Sequence, residues 1–305
     1  MFTLEEVKEK TYKKRDAWWT VLLVDPLASR LVLPLANHTR ITPNQISLAA
    51  FLVGCGAAWF FFQGDSFSLW MGALLFHFSF VLDCMDGKIA RLKGTGSVFG
   101  MWLDYMLDRV RVVICALMLM TGQFLLTDDP TYLALAILII FMDMLRYMDA
   151  LQLYKLRREM RKKIRQAKRN AQQTLELEGI ESWEEEDGAD PQVREQNKKK
   201  VDLNQAFKER FGWYLKIRDR LERARIRPHL FSGIEYQMFV FILGPIFGLI
   251  IETVVISSMI LFVFELAIIY KMWLSTRDLQ RELEQIRSAE IVNRTQPASP
   301  GSSIG

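Results

Sequence analysis

The chain has 305 residues, a formal net charge of +4 and a hydrophobic half. Length alone would suggest about two soluble domains, but the apolar residues are clumped and the charge is confined to separate blocks, which points to a membrane protein. No aromatic-basic recognition motif accompanies the excess of positive charge, so nucleic acid is not an expected partner.

The opening stretch MFTLEEVKEKTYKKRD is too charged for a cleaved signal peptide. Trp18-Trp19 follows as an interfacial aromatic anchor. Residues 21–36 carry too few uninterrupted apolar positions to span, with Pro26 and Pro34 breaking them, and predict an amphipathic helix on the cytoplasmic surface. Thr42 then reads as an N-cap and Pro43 as the first position of a spanning helix. Six apolar runs approach the ~20 residues that cross a ~30 Å hydrocarbon layer. They lie at 43–63, 66–92, 96–123, 131–153, 231–251 and 253–273. None alternates with period two, which excludes a β-barrel. The expected fold is an all-α integral membrane protein.

Loops on one side hold Gln63 to Ser66, Thr127 to Pro130 and Glu252, without a Lys or Arg. The other side receives Lys8 to Arg15, Lys93, the basic stretch after Tyr154 and the residues from Arg277 onward. The positive-inside rule puts both termini in the cytoplasm of a bacterial-type inner or plasma membrane. The chain therefore divides into a 1–42 juxtamembrane segment, four spans over 43–154 and a charged cytoplasmic helical insert over 155–228. Two further spans over 229–275 and a partly disordered tail over 276–305 complete it. The basic arms of the insert flank Glu184 to Asp187 and read as a solvated helical hairpin, with a lid or headgroup contact as the functional alternative.

Several residues carry no chemistry of their own. Cys55, Cys84 and Cys115 lie in apolar runs at no metal-like spacing, and His77 reads as a core histidine. The Asn37-His38-Thr39 and Asn293-Arg294-Thr295 sequons face the cytosol on this topology.

The second and third spans are different. Ionisable groups inside a membrane cost roughly 2.5–3.5 kcal/mol each on the gentler scales, yet FVLDCMDGKIARLKGTGSVFGMWLDYMLDR holds four aspartates. Asp83 and Asp86 are three apart and Asp104 and Asp108 four apart, so each pair shares a helix face. With a turn at Gly94-Thr95-Gly96, all four lie about 13–20 Å from the turn along antiparallel helices. Four converging carboxylates repel each other, and two divalent cations would cancel their charge. Oxygen ligands without Cys or His suit Mg²⁺ first, then Mn²⁺ or Ca²⁺, rather than zinc. Gly87 and Gly100, with Ala90, leave room beside the carboxylates; close helix packing is the structural alternative.

These residues fit D-x2-D-G-x2-A-R-x8-G-x3-D-x3-D at every fixed position, from Asp83 through Gly87, Ala90, Arg91 and Gly100 to Asp108. The chain thereby resembles the CDP-alcohol phosphatidyltransferases over roughly 20–154 and 229–273, while the insert departs from the compact family pattern. The resemblance implies transfer of a substituted phosphate from a CDP-alcohol to an acceptor alcohol, with release of CMP. It implies that Asp83, Asp86 and Asp104 bind two metals holding the CDP diphosphate and that Asp108 touches one metal and serves as general base. Gly87, Ala90 and Gly100 would line the nucleotide pocket, with Arg91 near phosphate or an aspartate. Arg109 and Arg146 are candidates for the acceptor, Glu235 and Glu265 for their partners, and Arg111 has no assigned role. CDP-diacylglycerol with a small polar alcohol is the first choice of substrates, and a soluble CDP-alcohol with a lipid acceptor the second. Membrane lipids and a second copy of the chain are the other expected partners. A cation or proton transporter and a membrane scaffold are rival readings; neither needs Asp-Gly-x-x-Ala-Arg beside the turn.

Overall fold

The computed structural model describes residues 1–177, 220–227 and 230–295. Among these, every regular element is a helix. Helix α1 spans Leu4–Thr11, and a π turn at Thr20–Val24 runs directly into α2, Asp25–His38. Helices α3 (Pro43–Gln63), α4 (Ser66–Lys93), α5 (Val98–Thr127) and α6 (Thr131–Leu177) follow. After the insert come α7, Gly233–Phe247 with a π segment at Phe239–Leu243, and α8, Ile250–Thr295.

Local chemistry sets these boundaries. Thr42 and Gln45 form a reciprocal capping box at the start of α3, with Pro43 in the first turn, and Gly64 ends the helix at φ +73°. Asp65 caps α4 by accepting from Ser68 N–H, and Gly94 closes it at φ +66°. Ser97 caps α5 in the same way through Gly100 N–H. Small residues then let the helices approach. Ala50, Gly54, Ala57 and Ala58 are buried along α3, which packs on both α4 and α5. A Cβ on Gly72 would lie 2.6 Å from the Phe61 ring, and one on Gly122 would strike the Phe61 and Phe62 carbonyls, so neither position admits a side chain.

Five helical stretches are long and apolar enough to cross a membrane: Thr20–His38, Pro43–Gln63, Ser66–Lys93, Val98–Thr127 and Ile250–Ser288. Their outward faces carry Leu52, Trp59, Leu74, Leu117, Ile260 and Val263 in the open, apolar surface far beyond what an aqueous protein leaves exposed. The architecture is that of a multi-pass integral membrane protein.

Four boundaries differ from expectation. Residues 21–36, expected to be too broken an apolar run to span, belong to a continuous 19-residue apolar helical stretch, because the π turn runs straight into α2 and carries the helix past Pro26, while Pro34 sits inside α2 without ending it. The last two apolar runs divide at Gly248 (φ +67°), so Glu252 lies in the first turn of α8 rather than in a loop, and α7 is short. Helix α6 continues past residue 154 to Leu177, and α8 continues past 275 to Thr295. The polar halves of these two helices are joined by an ion pair, Lys168 to Glu282 at 3.2 Å, and bury Met160, Ile164 and Leu274. The acidic middle of the insert and the tail beyond Thr295 lie outside the described residues.

The chain forms two compact units. Residues 1–148 with the described part of 213–266 make the first, and the far ends of α6 and α8 belong to the second. One hydrophobic core runs through the first unit, from Val7 and Val24 through Phe61, Phe76 and Met85 to Leu119, Phe241 and Leu261.

Candidate active site

The site is built where α4 ends and α5 begins. Gly94 and the Thr95 N–H, which donates to Ala90 O at 3.1 Å, terminate α4, and Ser97 starts α5 in the opposite direction. Asp83, Asp86 and Asp104 thereby each offer a carboxylate oxygen, all within 4.8 Å of one another. Asp86 is buried and the other two are half-buried. One oxygen of Asp104, Oδ1, is buried with no hydrogen-bond partner among the described residues. A buried carboxylate oxygen left bare inside a ring of like charges is costly unless a cation meets it. The donor set is all hard oxygen, so the residues present fit Mg²⁺ or Mn²⁺.

Asp108 stands apart from this trio. One turn beyond Asp104 on α5, it accepts from Arg111 Nη2 through Oδ1, while Arg109 Nη2 is 3.6 Å from Oδ2. Arg111 is fully buried, donates to Ser79 Oγ at 3.0 Å and lies 3.6 Å from Asp83 Oδ1. Its stem passes over Gly54 of α3, where an added Cβ would lie 2.5 Å from Arg111 Cδ. Arg111 is therefore the internal counter-charge of the cluster, joining Asp83 to Asp108.

The other cations also find partners. Arg109 pairs with buried Asp143 of α6 and stacks on Tyr147 with its guanidinium carbon 3.3 Å from the ring centroid. Asp143 in turn accepts from Gln237 Nε2 of α7 at 2.8 Å. Arg146 pairs with Glu265 of α8 at 3.2 Å. Glu235 instead caps its own helix, accepting from the Ser232 N–H and hydroxyl at 3.0 Å each. Arg91 is exposed at the mouth, with its Nε donating to Thr11 O of α1 at 3.1 Å.

The two glycines differ in their surroundings. A Cβ on Gly87 would meet nothing within 4 Å except the Arg91 guanidinium, at 3.5 Å, whereas one on Gly100 would press on Asn44 Oδ1 of α3 at 2.6 Å. Half-buried Ala90 is 3.9 Å from the Cβ position of Gly96. Helix α3 also supplies a hydroxyl: Ser47 Oγ donates to Asp86 Oδ2. The sequence gives little sign of Ser47, a lone serine one turn into an apolar helix.

A helical hairpin with clustered carboxylates within membrane-spanning helices is a setting for metal-assisted phosphate chemistry. Residues 40–172, which hold α3, α4, α5 and most of α6, match the model of the CDP-alcohol phosphatidyltransferase family. Curated relatives agree. Archaetidylinositol phosphate synthase of Methanothermobacter thermautotrophicus is 33% identical over 99 residues, 32% of this chain and 49% of that protein. The bifunctional IPC transferase and DIPP synthases of Aquifex aeolicus and Archaeoglobus fulgidus are each 37% identical, over 70 and 83 residues. Those matches cover 23% and 27% of this chain, and 15% and 16% of the relatives. The chain thus spans about half the length of the first relative and about a sixth of the others.

Proposed function

We propose that the protein transfers a substituted phosphate from a CDP-alcohol to an acceptor alcohol and releases CMP. The observation that carries this is the Asp83, Asp86 and Asp104 trio, gathered within the stretch that matches the family. Those residues, with Asp108 at the edge, would hold two divalent cations. Such cations neutralise the diphosphate and stabilise CMP as it leaves. Gly87 and Ala90 leave the space a nucleotide needs beside the carboxylates, Gly100 lets Asn44 of α3 close in to form the adjoining wall, and Arg91 stands at the mouth to meet its phosphates.

The residues themselves do the rest. Asp108 Oδ1 is taken by Arg111, but Oδ2 has, among the described residues, Arg109 at 3.6 Å and beyond hydrogen-bond reach. Oδ2 is then the oxygen that receives the proton of the acceptor hydroxyl while its oxygen bonds to phosphorus and the bond from phosphorus to CMP breaks. Arg109 and Arg146 are the acceptor-side candidates. Each already carries a carboxylate partner, so an anionic acceptor would share a compensated charge and bind less tightly than at an unpaired guanidinium. CDP-diacylglycerol is the first-choice donor. The name of the Methanothermobacter thermautotrophicus relative includes an inositol phosphate, which favours a phosphorylated polyol as acceptor. Turnover of a soluble CDP-alcohol with a lipid acceptor, in place of CDP-diacylglycerol, would reverse that assignment.

Six spans complete the topology in this reading, the apolar start of α6 and the short α7 joining α3, α4, α5 and α8. Residues 21–36 then lie along the cytoplasmic interface. The site and both termini face the cytoplasm, since Lys93 and the residues after Tyr154 are basic whereas the Asp65 and Asp128-Asp129 turns are acidic.

CMP release from purified protein tests the reading. EDTA should abolish it, Mg²⁺ or Mn²⁺ should restore it, and Asp83→Asn should lower turnover by roughly the 10²–10⁴-fold expected of an essential site group. Full activity in chelator overturns the proposal.

A further inference from the structure

The residues between Leu4 and Asp25 do more than precede the first spans. Asp25, the first residue of α2, is 2% exposed and carries two cations. Its Oδ1 accepts from Lys88 Nζ at 2.6 Å, and its Oδ2 from Arg225 Nη2 at 2.9 Å. Lys88 belongs to α4, two residues after Asp86, and is itself 4% exposed. A buried carboxylate holding two cations, one drawn from the last turns of the helix that carries Asp83 and Asp86, is not an ordinary surface pair.

The rest of the contact is equally specific. Arg225 has φ +61°, a left-handed conformation that a side-chain-bearing residue adopts at a cost and keeps only when its surroundings hold it there. What holds it is the N-terminal arm. Arg225 Nε donates to Lys13 O at 3.2 Å, and its backbone oxygen accepts from Asp16 N–H at 2.9 Å. Its guanidinium lies 4.1 Å from the Tyr12 ring centroid, with Lys88 Nζ 5.3 Å from the same centroid. Arg227 Nη2 pairs with Asp16 at 3.0 Å and Arg15 with Glu222 at 2.8 Å. The chain at 222–227 thus acts as a clasp across residues 11–16, and Asp25 fixes both to α4.

That arm also reaches the donor side of the site. Thr11 O accepts from Arg91 Nε, and the Arg91 guanidinium then lies along Gly87, 3.5 Å from the point where a Cβ would stand. The arm therefore sets the direction of Arg91.

We infer that Asp25 is a positioning residue for the CDP-alcohol. Through Lys88 and Arg225 it fastens residues 11–16 against α4, and the fastened arm aims Arg91 over the nucleotide face beside Gly87. The inference rests on the proposed transfer activity. Asp25 touches neither substrate nor reacting atoms, so its loss acts on donor binding before turnover. The clasp also makes the end of the insert part of the donor site's support.

Two readouts on the full-length, detergent-solubilised protein test this. The first needs no activity: limited trypsin cleavage after Lys13, Lys14 and Arg15 should quicken in Asp25→Asn and in Arg225→Met. The second is steady-state kinetics. Donor KM should rise about tenfold in both variants while kcat and acceptor KM stay within about threefold. Asp25→Leu combined with Lys88→Met and Arg225→Met, which removes all three charges together, serves if Asp25→Asn does not fold; it should show the same donor-KM shift. An unchanged cleavage rate, or a fall in kcat with donor KM unaltered, overturns the inference. If the wild type releases no CMP, the transferase reading falls, and the cleavage rates alone judge the clasp.

Discussion

At Asp108 one carboxylate is divided between two arginines, whereas Asp86 faces two like charges and a hydroxyl. The difference separates their roles. Asp86→Asn removes one of the three charges proposed to hold the cations and weakens the acceptor of Ser47, so it should lose both donor binding and turnover. Asp108→Asn should lose turnover while keeping most of its donor affinity, because the trio is intact. Equilibrium binding of a CDP-alcohol to the two variants distinguishes them, and equal loss of binding would make Asp108 a structural ligand. Gly100 tests the neighbouring wall. In Gly100→Ala the new Cβ presses on Asn44 Oδ1, which belongs to another helix, and overpacking of this kind costs about 1–3 kcal/mol. Donor KM should rise with the thermal midpoint lowered, and a variant kinetically identical to the wild type would remove Gly100 from the nucleotide wall.

Among the described elements, α1 is one whose stability can be tuned outside the apolar helices. Thr3 and Glu6 form a capping box, and the Thr3 N–H donating to Glu6 holds that carboxyl below the ordinary glutamate range. A depressed folded-state value means that the contribution is present above the ordinary range and lost as pH falls through the lowered value. Amide exchange over residues 4–11, corrected for its intrinsic rate, should therefore rise as pH drops below about 4. In Glu6→Gln, which removes the titrating carboxyl, that pH dependence should flatten. Elements also mark where sequence reading strays. Helix α8 was expected to end near residue 273, where its apolar run ends, but it continues to Thr295. Apolar composition locates a membrane boundary, whereas a helix stops only where capping or backbone conformation stops it.

For the whole molecule the insert is tested by deletion. Residues 178–219 lie outside the described part, yet their flanks, 155–177 on α6 and 220–227 at the clasp, are fixed. Replacing 178–219 by a short Gly/Ser linker leaves Glu222, Arg225 and Arg227 in place. Metal-dependent CMP release should survive. The removed stretch includes Arg194 and Lys198 to Lys200, and each basic residue near an anionic surface contributes about 1 kcal/mol of salt-sensitive attraction. Acceptor KM should rise in the variant, and the wild type should be the more salt-dependent of the two. Complete loss of CMP release in an inserted, folded variant would place catalytic groups in the insert.

The sequence by itself determined the helical membrane architecture, the hairpin at Gly94 and the meeting of Asp83, Asp86 and Asp104. Those features depend on fixed quantities, the rise of a helix, the length that crosses a bilayer and the turn residues between two runs. Only the tertiary structure decided that Arg111 bridges Asp83 and Asp108, that Ser47 joins Asp86 and that Asp25 holds Lys88. Each of these depends on how helices are rotated against one another, which is set by small residues such as Gly54 and by partners as far apart in sequence as Asp25 and Arg225. No local spacing encodes such pairs, because a charged residue in a helix has many geometrically allowed partners and packing selects among them.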